Sequence, residues 1–274
     1  MLAAQWRSAA LGLAMAVSNP FAPYCQAVET RGASAAGTAV EELVYARADD
    51  GIVDAGALFT PPGSVDKRIA VIWIHGSGVN FYYPSYVKVA RELARRGLTT
   101  IVGNTRMHDL GNIEAFRETA NARGGSYWGI TTDQVRDLGA WVQLAKDRGF
   151  DRVILVGHSA GATAVQIYTA RTQDPRIAGM VLAPDGFVRD QARSSTPPVA
   201  RVRVPILAWF GTDGDVGTAE DLELLETTLK KLRGGPSRVS TAMIPQATHM
   251  FDGHETQVAQ VLANWVNSVV LAGR

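Results

Sequence analysis

Several short runs of this chain are apolar almost without interruption, and that limits the fold more than any other feature. Ile69–Ile74 reads IAVIWI, and residues 152–156 (RVILV), Ile177–Leu182 (IAGMVL) and residues 206–210 (ILAWF) are nearly as apolar. A strand with water on one face alternates polar and apolar side chains. A strand that is apolar throughout must be covered on both faces, as in a parallel sheet flanked by helices.

Segments with helical spacing separate these runs. Val87, Ala90, Leu93 and Ala94 precede a stop at Gly97, and Val135, Leu138, Val142 and Ala145 precede one at Gly149. A helix is expected after RVILV through Tyr168. Leu222, Leu225, Leu229 and Leu232 share a face of another, and Val258, Val261, Leu262, Trp265, Val266 and Val269 stripe a closing one. Residues 98–102 and Val239–Ile244 supply two more strands. Near the front, Leu43-Val44-Tyr45 and residues 52–59 flank Asp49-Asp50-Gly51, a turn signal expected of a hairpin. The alternation predicts an α/β fold: a mostly parallel sheet with helices on both faces and an antiparallel N-terminal hairpin. With no linker interrupting it, residues 40–274 are expected to form one domain.

Composition excludes other classes. Lys plus Arg number 27 against 26 Asp plus Glu, so no basic surplus exists to neutralise nucleic-acid phosphates. A single cysteine, Cys25, excludes an intrachain disulfide framework and a zinc site built on several thiolates. The expected partner is a small molecule.

Residues 1–27 read as a signal peptide. Arg7 is the only charge before Glu29, residues 9–17 (AALGLAMAV) are apolar, and Cys25-Gln26-Ala27 suits a signal-peptidase site. The run is far shorter than the roughly 20 apolar residues that span a bilayer, so no stable membrane insertion is expected. Export to a periplasm or beyond follows from this reading; an N-terminal extension of a cytoplasmic protein is the alternative. Residues 28–39, rich in Ala, Gly, Ser and Thr, read as a linker.

Reactive groups in a parallel sheet collect beyond the carboxyl ends of its strands. After RVILV comes Gly157-His158-Ser159-Ala160-Gly161, which fits G-x-S-x-G: a serine on a sharp strand-to-helix turn, its hydroxyl raised above the sheet and a helix N-terminus aimed at it. After IAVIWI comes His75-Gly76-Ser77-Gly78, a loop whose amides can face an oxyanion. The N–H groups of Ser77 and Ala160 are the expected donors, with Gly78 in reserve and His75 fixing the loop. No lysine follows these glycines as a P-loop requires. After ILAWF, Gly211-Thr212-Asp213-Gly214-Asp215 offers two carboxylates that could orient an imidazole. Position relative to the next helix favours Asp213, with Asp215 a turn residue. Ahead of the last helix, His249 can reach the serine, and His254 is expected at the helix start. The spacing of His249 and His254, with no carboxylate cluster beside them, does not suit a metal.

These motifs together resemble the α/β-hydrolase superfamily over nearly the whole chain from Val40, in the order nucleophile, acid, histidine. The resemblance implies Ser159 as nucleophile, His249 as general base and then acid, Asp213 as the orienting acid, and no cofactor. Two departures stand out. The acid loop is one residue off the usual Gly-x-x-Asp spacing, which keeps Asp215 open, and the stretch from Leu182 to Pro205 is too short for a large helical lid. The expected activity is hydrolysis of a small carboxylic ester, thioester or lactone. A peptidase or amidase on the same residues, and a non-catalytic binding protein, are the alternatives. Substrate choice is expected from residues 104–131, with Arg106 either binding an anionic group or sitting in a salt bridge, a Gly124-Gly125 hinge and Tyr127-Trp128 as a wall. Phe81-Tyr82-Tyr83 is read as an acyl-pocket wall or as a roof on the first helix.

Overall fold

The computed structural model describes residues 38–63, 65, 68–109, 133–183, 198–214, 217–231 and 238–271. The expected signal peptide, Asp215, Gly124-Gly125, Tyr127-Trp128, Leu232 and most of the segment read as lacking a lid lie outside these residues.

Eight strands form one sheet: β1 (Val40–Arg47), β2 (Val53–Thr60), β3 (Ile69–Ile74), β4 (Thr100–Gly103), β5 (Arg152–Gly157), β6 (Ile177–Leu182), β7 (Ile206–Gly211) and β8 (Val239–Ile244). Their spatial order is β1-β2-β4-β3-β5-β6-β7-β8. β2 pairs antiparallel with both β1 and β4, and all other pairings are parallel. The expected hairpin turn is closed by Ala48 N–H to Ile52 O at 2.8 Å, with Gly51 at φ 90°.

The helices are α1 (Pro84–Arg95), α2 (Gln134–Asp147), α3 (Ala160–Thr172), α4 (Ala219–Lys231) and α5 (Glu255–Trp265), the last running into a π-helical turn at Val266–Leu271. Two of the starts have a clear local cause. Pro84 supplies a preset φ where the N–H is not needed. Ahead of α4, Thr218 and Asp221 exchange side-chain-to-backbone bonds of 3.0 and 3.3 Å, a capping box. α3 runs four residues past Tyr168, where its stripe was expected to end. Thr169 and Thr172 return their hydroxyls to the carbonyls of Val165 and Tyr168, and Gln173 then stops the helix at φ 49°.

The apolar runs divide between the two faces with period two. Ala70, Ile72 and Ile74 of β3 pack in the core under α2, α3 and α4; Ile69, Val71 and Trp73 pack in the core under α1 and α5. Each fully buried Ile or Leu contributes about 1.5–3 kcal/mol, which is why strands apolar throughout occupy the centre. Trp141 of α2 lies over Gly56 and Gly103, paired neighbours on β2 and β4; a Cβ on Gly103 would come within 2.4 Å of its ring.

Arg106, just beyond β4, takes the second of its two expected roles, a salt bridge, which corrects the reading in which it binds an anionic substrate. It is 6% exposed, and its guanidinium spans the carboxylates of Asp137 (2.7 Å) and Asp50 (2.9 Å). Its N–H also donates to Asp137 at 2.9 Å. The pair joins the hairpin turn, the end of β4 and α2. Asp54, 2% exposed, lies in the same cluster, where burial and then the Asp137 charge push its carboxyl up to about 8. The folded state therefore keeps a proton that the unfolded chain releases near the ordinary carboxylate value. Stability from this group is complete at acid pH and is lost as pH rises through the folded value. The melting temperature of Asp54→Asn, measured from about pH 5 to about pH 9, is expected to fall less than that of the wild type. Parallel curves would remove Asp54 as the cause.

Candidate active site

β3 is the strand at which the chain order reverses, with β4 on one side and β5 on the other, so the crevice beyond its carboxyl end is where an α/β sheet binds ligands. In register, Ile74 stands beside Gly157, and His158 N–H donates to Ile74 O at 3.0 Å. The His75–Gly78 loop and the Gly157–Gly161 turn therefore leave the sheet side by side.

Ser159 has φ 52° and ψ −121°, a backbone region that L-residues avoid at a cost of about 1–3 kcal/mol. The glycines on either side explain how the turn persists. A Cβ on Gly157 would meet Gly161 O at 2.3 Å, and one on Gly161 would meet His75 O at 2.5 Å and Ile74 O at 2.7 Å. Across the crevice, a Cβ on Gly76 would come 2.9 Å from Ser159 Cβ. Ala160 is the first residue of α3, where an N–H has no acceptor within the helix. Ser77 is exposed on the facing loop, and Gly78 follows it at φ 73°.

The loop carrying Ser77 is anchored from below. His75 is 2% exposed; its Nδ1–H donates to Gly76 O at 2.7 Å, and its Nε2 accepts the Thr105 N–H at 3.0 Å. Burial lowers its pKa to about 4, so it is a neutral strut rather than a base. Asn104 accepts the Phe81 N–H at 2.7 Å and holds the far end of the loop. Of the three aromatic residues there, Phe81 and Tyr83 are half-buried and Tyr82 is 60% exposed. Tyr83 leans on Tyr86 with ring centroids 5.4 Å apart, so it roofs α1.

On the other flank, β7 and β8 end in register, Gly211 beside Ile244. Their loops are tied by Thr212 N–H to Ile244 O (3.0 Å), Asp213 N–H to Ala247 O (3.0 Å) and Gln246 N–H to Thr212 Oγ1 (2.7 Å). A Cβ on Gly214 would lie 3.7 Å from His249 N, so the acid loop and the histidine loop are in contact. Asp213 is exposed and accepts the Thr212 hydroxyl at 3.1 Å. His249 is half-buried, its ring centroid 4.7 Å from that of His158. His254 is the N-cap residue of α5, at the helix start as expected.

His158 and Tyr86 are site residues that motif reading passes over. His158 occupies a variable position of the pentapeptide, and Tyr86 reads as one more apolar residue of the α1 stripe. In the fold Tyr86 Oη lies 2.7 Å from His158 Nδ1, and His158 Nε2 lies 2.9 Å from the main-chain oxygen of His249.

Comparison with known proteins agrees with this architecture. An esterase of Butyrivibrio proteoclasticus bound to ferulic acid superposes with a TM-score of 0.64 at 17% identity, over 84% of this chain and 99% of that one. A Pyrococcus furiosus esterase gives 0.62 at 14% identity, over 84% and 92% of the two chains. A dienelactone hydrolase of Anabaena variabilis gives 0.61 at 24% identity, over 84% and 97%. No curated protein sequence matches the chain. The family described as serine aminopeptidase, S33, matches residues 66–251, from just ahead of β3 to just past His249. That span holds the loops that carry Ser77, Ser159, Asp213 and His249, and the chain belongs to this family of α/β-hydrolases.

Proposed function

We propose that the protein hydrolyses a carboxylic ester, thioester or lactone of a small molecule through an acyl-enzyme on Ser159. The strained turn at Ser159 carries this reading, because φ 52° at a serine is retained at a cost, at the end of the strand beside the switch point of the sheet, where a nucleophile turn belongs. His249 takes the Ser159 proton as Oγ attacks the carbonyl. The N–H groups of Ser77 and Ala160 receive the negative oxygen, and His249 protonates the leaving group. Water, deprotonated by the same imidazole, then releases the acid. Losing one oxyanion donor would cost about 3–4 kcal/mol, so the loop after β3 matters nearly as much as the nucleophile. Asp213 is assigned to hold the imidazole; its exposure and its bond to Thr212 keep Asp215 as the other choice. The esterase and dienelactone hydrolase likenesses support an ester or lactone substrate. The family description favours a second reading, cleavage of an aminoacyl amide by the same residues. Residues 1–27 are proposed to direct export.

A chromogenic short-chain ester and an aminoacyl anilide, assayed side by side, separate the two readings. Ser159→Ala is expected to lower kcat/KM on the preferred one by about ten-thousandfold or more, and to abolish labelling by a fluorophosphonate. Turnover equal to wild type would rule Ser159 out as nucleophile. Asp213→Asn is expected to lower kcat by about a thousandfold or more and Asp215→Asn by far less. The reverse order would move the acid to Asp215.

A further inference from the structure

Three hydrogen bonds run from the oxyanion loop to the histidine loop through side chains that the mechanism above does not use. Gly76 N–H donates to Tyr86 Oη at 3.3 Å, Tyr86 Oη meets His158 Nδ1 at 2.7 Å, and His158 Nε2 meets the His249 carbonyl at 2.9 Å. The partners fix where the protons are. A carbonyl oxygen can only accept, so His158 Nε2 carries the hydrogen. A neutral imidazole then has a bare Nδ1, which accepts the Tyr86 hydroxyl, and the hydroxyl oxygen accepts from Gly76. Both residues are nearly inaccessible, at 1% and 0% exposure. Burial, and then the neighbouring His249, lower the His158 pKa to about 3, so the ring stays neutral. Phe251 meets the ring edge-on, its centroid 5.4 Å away.

We propose that His158 is a positioning residue: its Nε2–H bond to the His249 carbonyl fixes the base loop relative to Ser159, and Tyr86 holds the imidazole in the tautomer that donates. The inference rests on the reading of Ser159 and His249 as nucleophile and base. Its logic is one of sequence adjacency. His158 precedes Ser159 directly, on a turn that the packing of Gly157 and Gly161 makes rigid. The base loop bends through positive φ at Gln246 (61°) and Phe251 (46°), so its shape is costly and depends on tethers. The bonds from Thr212 and Asp213 tether it to the acid loop; the His158 bond tethers it to the nucleophile turn. A misplacement near 1 Å at reacting groups costs about a hundredfold in rate, and this tether is of the kind that prevents it.

His158→Leu fills much of the buried space and removes the donor; His158→Gln supplies an amide N–H able to reach the same carbonyl; Tyr86→Phe removes the group that sets the tautomer. The readouts are kcat and KM on the preferred chromogenic substrate, the rate of fluorophosphonate labelling, and thermal melting. His158→Leu is expected to lower kcat and the labelling rate about a hundredfold with KM within about threefold of wild type. His158→Gln is expected to recover about tenfold of that loss, and Tyr86→Phe to lower kcat about tenfold. A folded His158→Leu with wild-type kcat, or equal losses in the Leu and Gln variants, would overturn the proposal. If His158→Leu does not fold, Tyr86→Phe decides, and an unchanged kcat there overturns it. Ser159→Ala in the same series keeps the two readings apart. Turnover surviving in that variant removes the nucleophile, whereas indifference to His158 in an enzyme that Ser159→Ala inactivates removes only the tether.

Discussion

The first turn of α3 rests on the end of β3, and the crevice exists because of that contact. Gly161 sits where a Cβ would lie 2.5 Å from His75 O and 2.7 Å from Ile74 O, and His158 N–H bonds to Ile74 O at 3.0 Å. Two adjacent parallel strands thus end at one level, one turning into an amide-bearing loop and the other into a helix. If the helix stood one side chain further off, the Ser159 turn would have room to relax from φ 52°. Close packing converts a local strain into a fixed direction for one hydroxyl.

The rest of the molecule holds those two strand ends in register. Trp73 touches Tyr86, Trp209 and Phe251 at centroid distances of 5.7, 6.3 and 5.8 Å, joining β3 to α1, β7 and the histidine loop on one face of the sheet. On the other face Trp141 packs over Gly56 and Gly103 and donates its N–H to Asn104 O at 2.7 Å. Asn104 in turn holds Phe81, so α2 reaches the loop after β3 through two hydrogen bonds. Buried aromatic rings here serve as spacers between elements that carry chemistry.

What was legible in the sequence follows a physical division. IAVIWI and RVILV could be placed because burial on both faces leaves a local signature, and Gly157 and Gly161 because a tight turn needs them close in sequence. Contacts between distant residues left no such mark. Arg106 and Asp137 lie 31 positions apart, Thr105 and His75 lie 30 apart, and Tyr86 and His158 lie 72 apart. Each pair is joined only by the crossover connections of the sheet. Arg106 illustrates the consequence: beside a strand end it read equally as an anion site or a salt-bridge residue, and the fold pairs it with two carboxylates, from α2 and the hairpin turn, that the sequence did not name. The end of α3 escaped for a different reason, since threonines that bond back to their own helix extend it without lengthening its apolar stripe.

Histidine chemistry at the crevice depends on which rings can take a proton. His75 and His158 are both buried with both ring nitrogens engaged, and their pKa values fall to about 4 and about 3. Each is therefore a hydrogen-bonding part of fixed polarity, one at the loop after β3 and one at the histidine loop. His249 is half-buried, with its ring centroid 4.7 Å from that of His158. A second imidazolium 4.7 Å from it would oppose its own protonation, the step by which a base stores the serine proton during acyl transfer. Burial keeps His158 neutral and removes that opposition. On the proposed mechanism, the buried histidines thereby leave the positive charge of the transition state to His249.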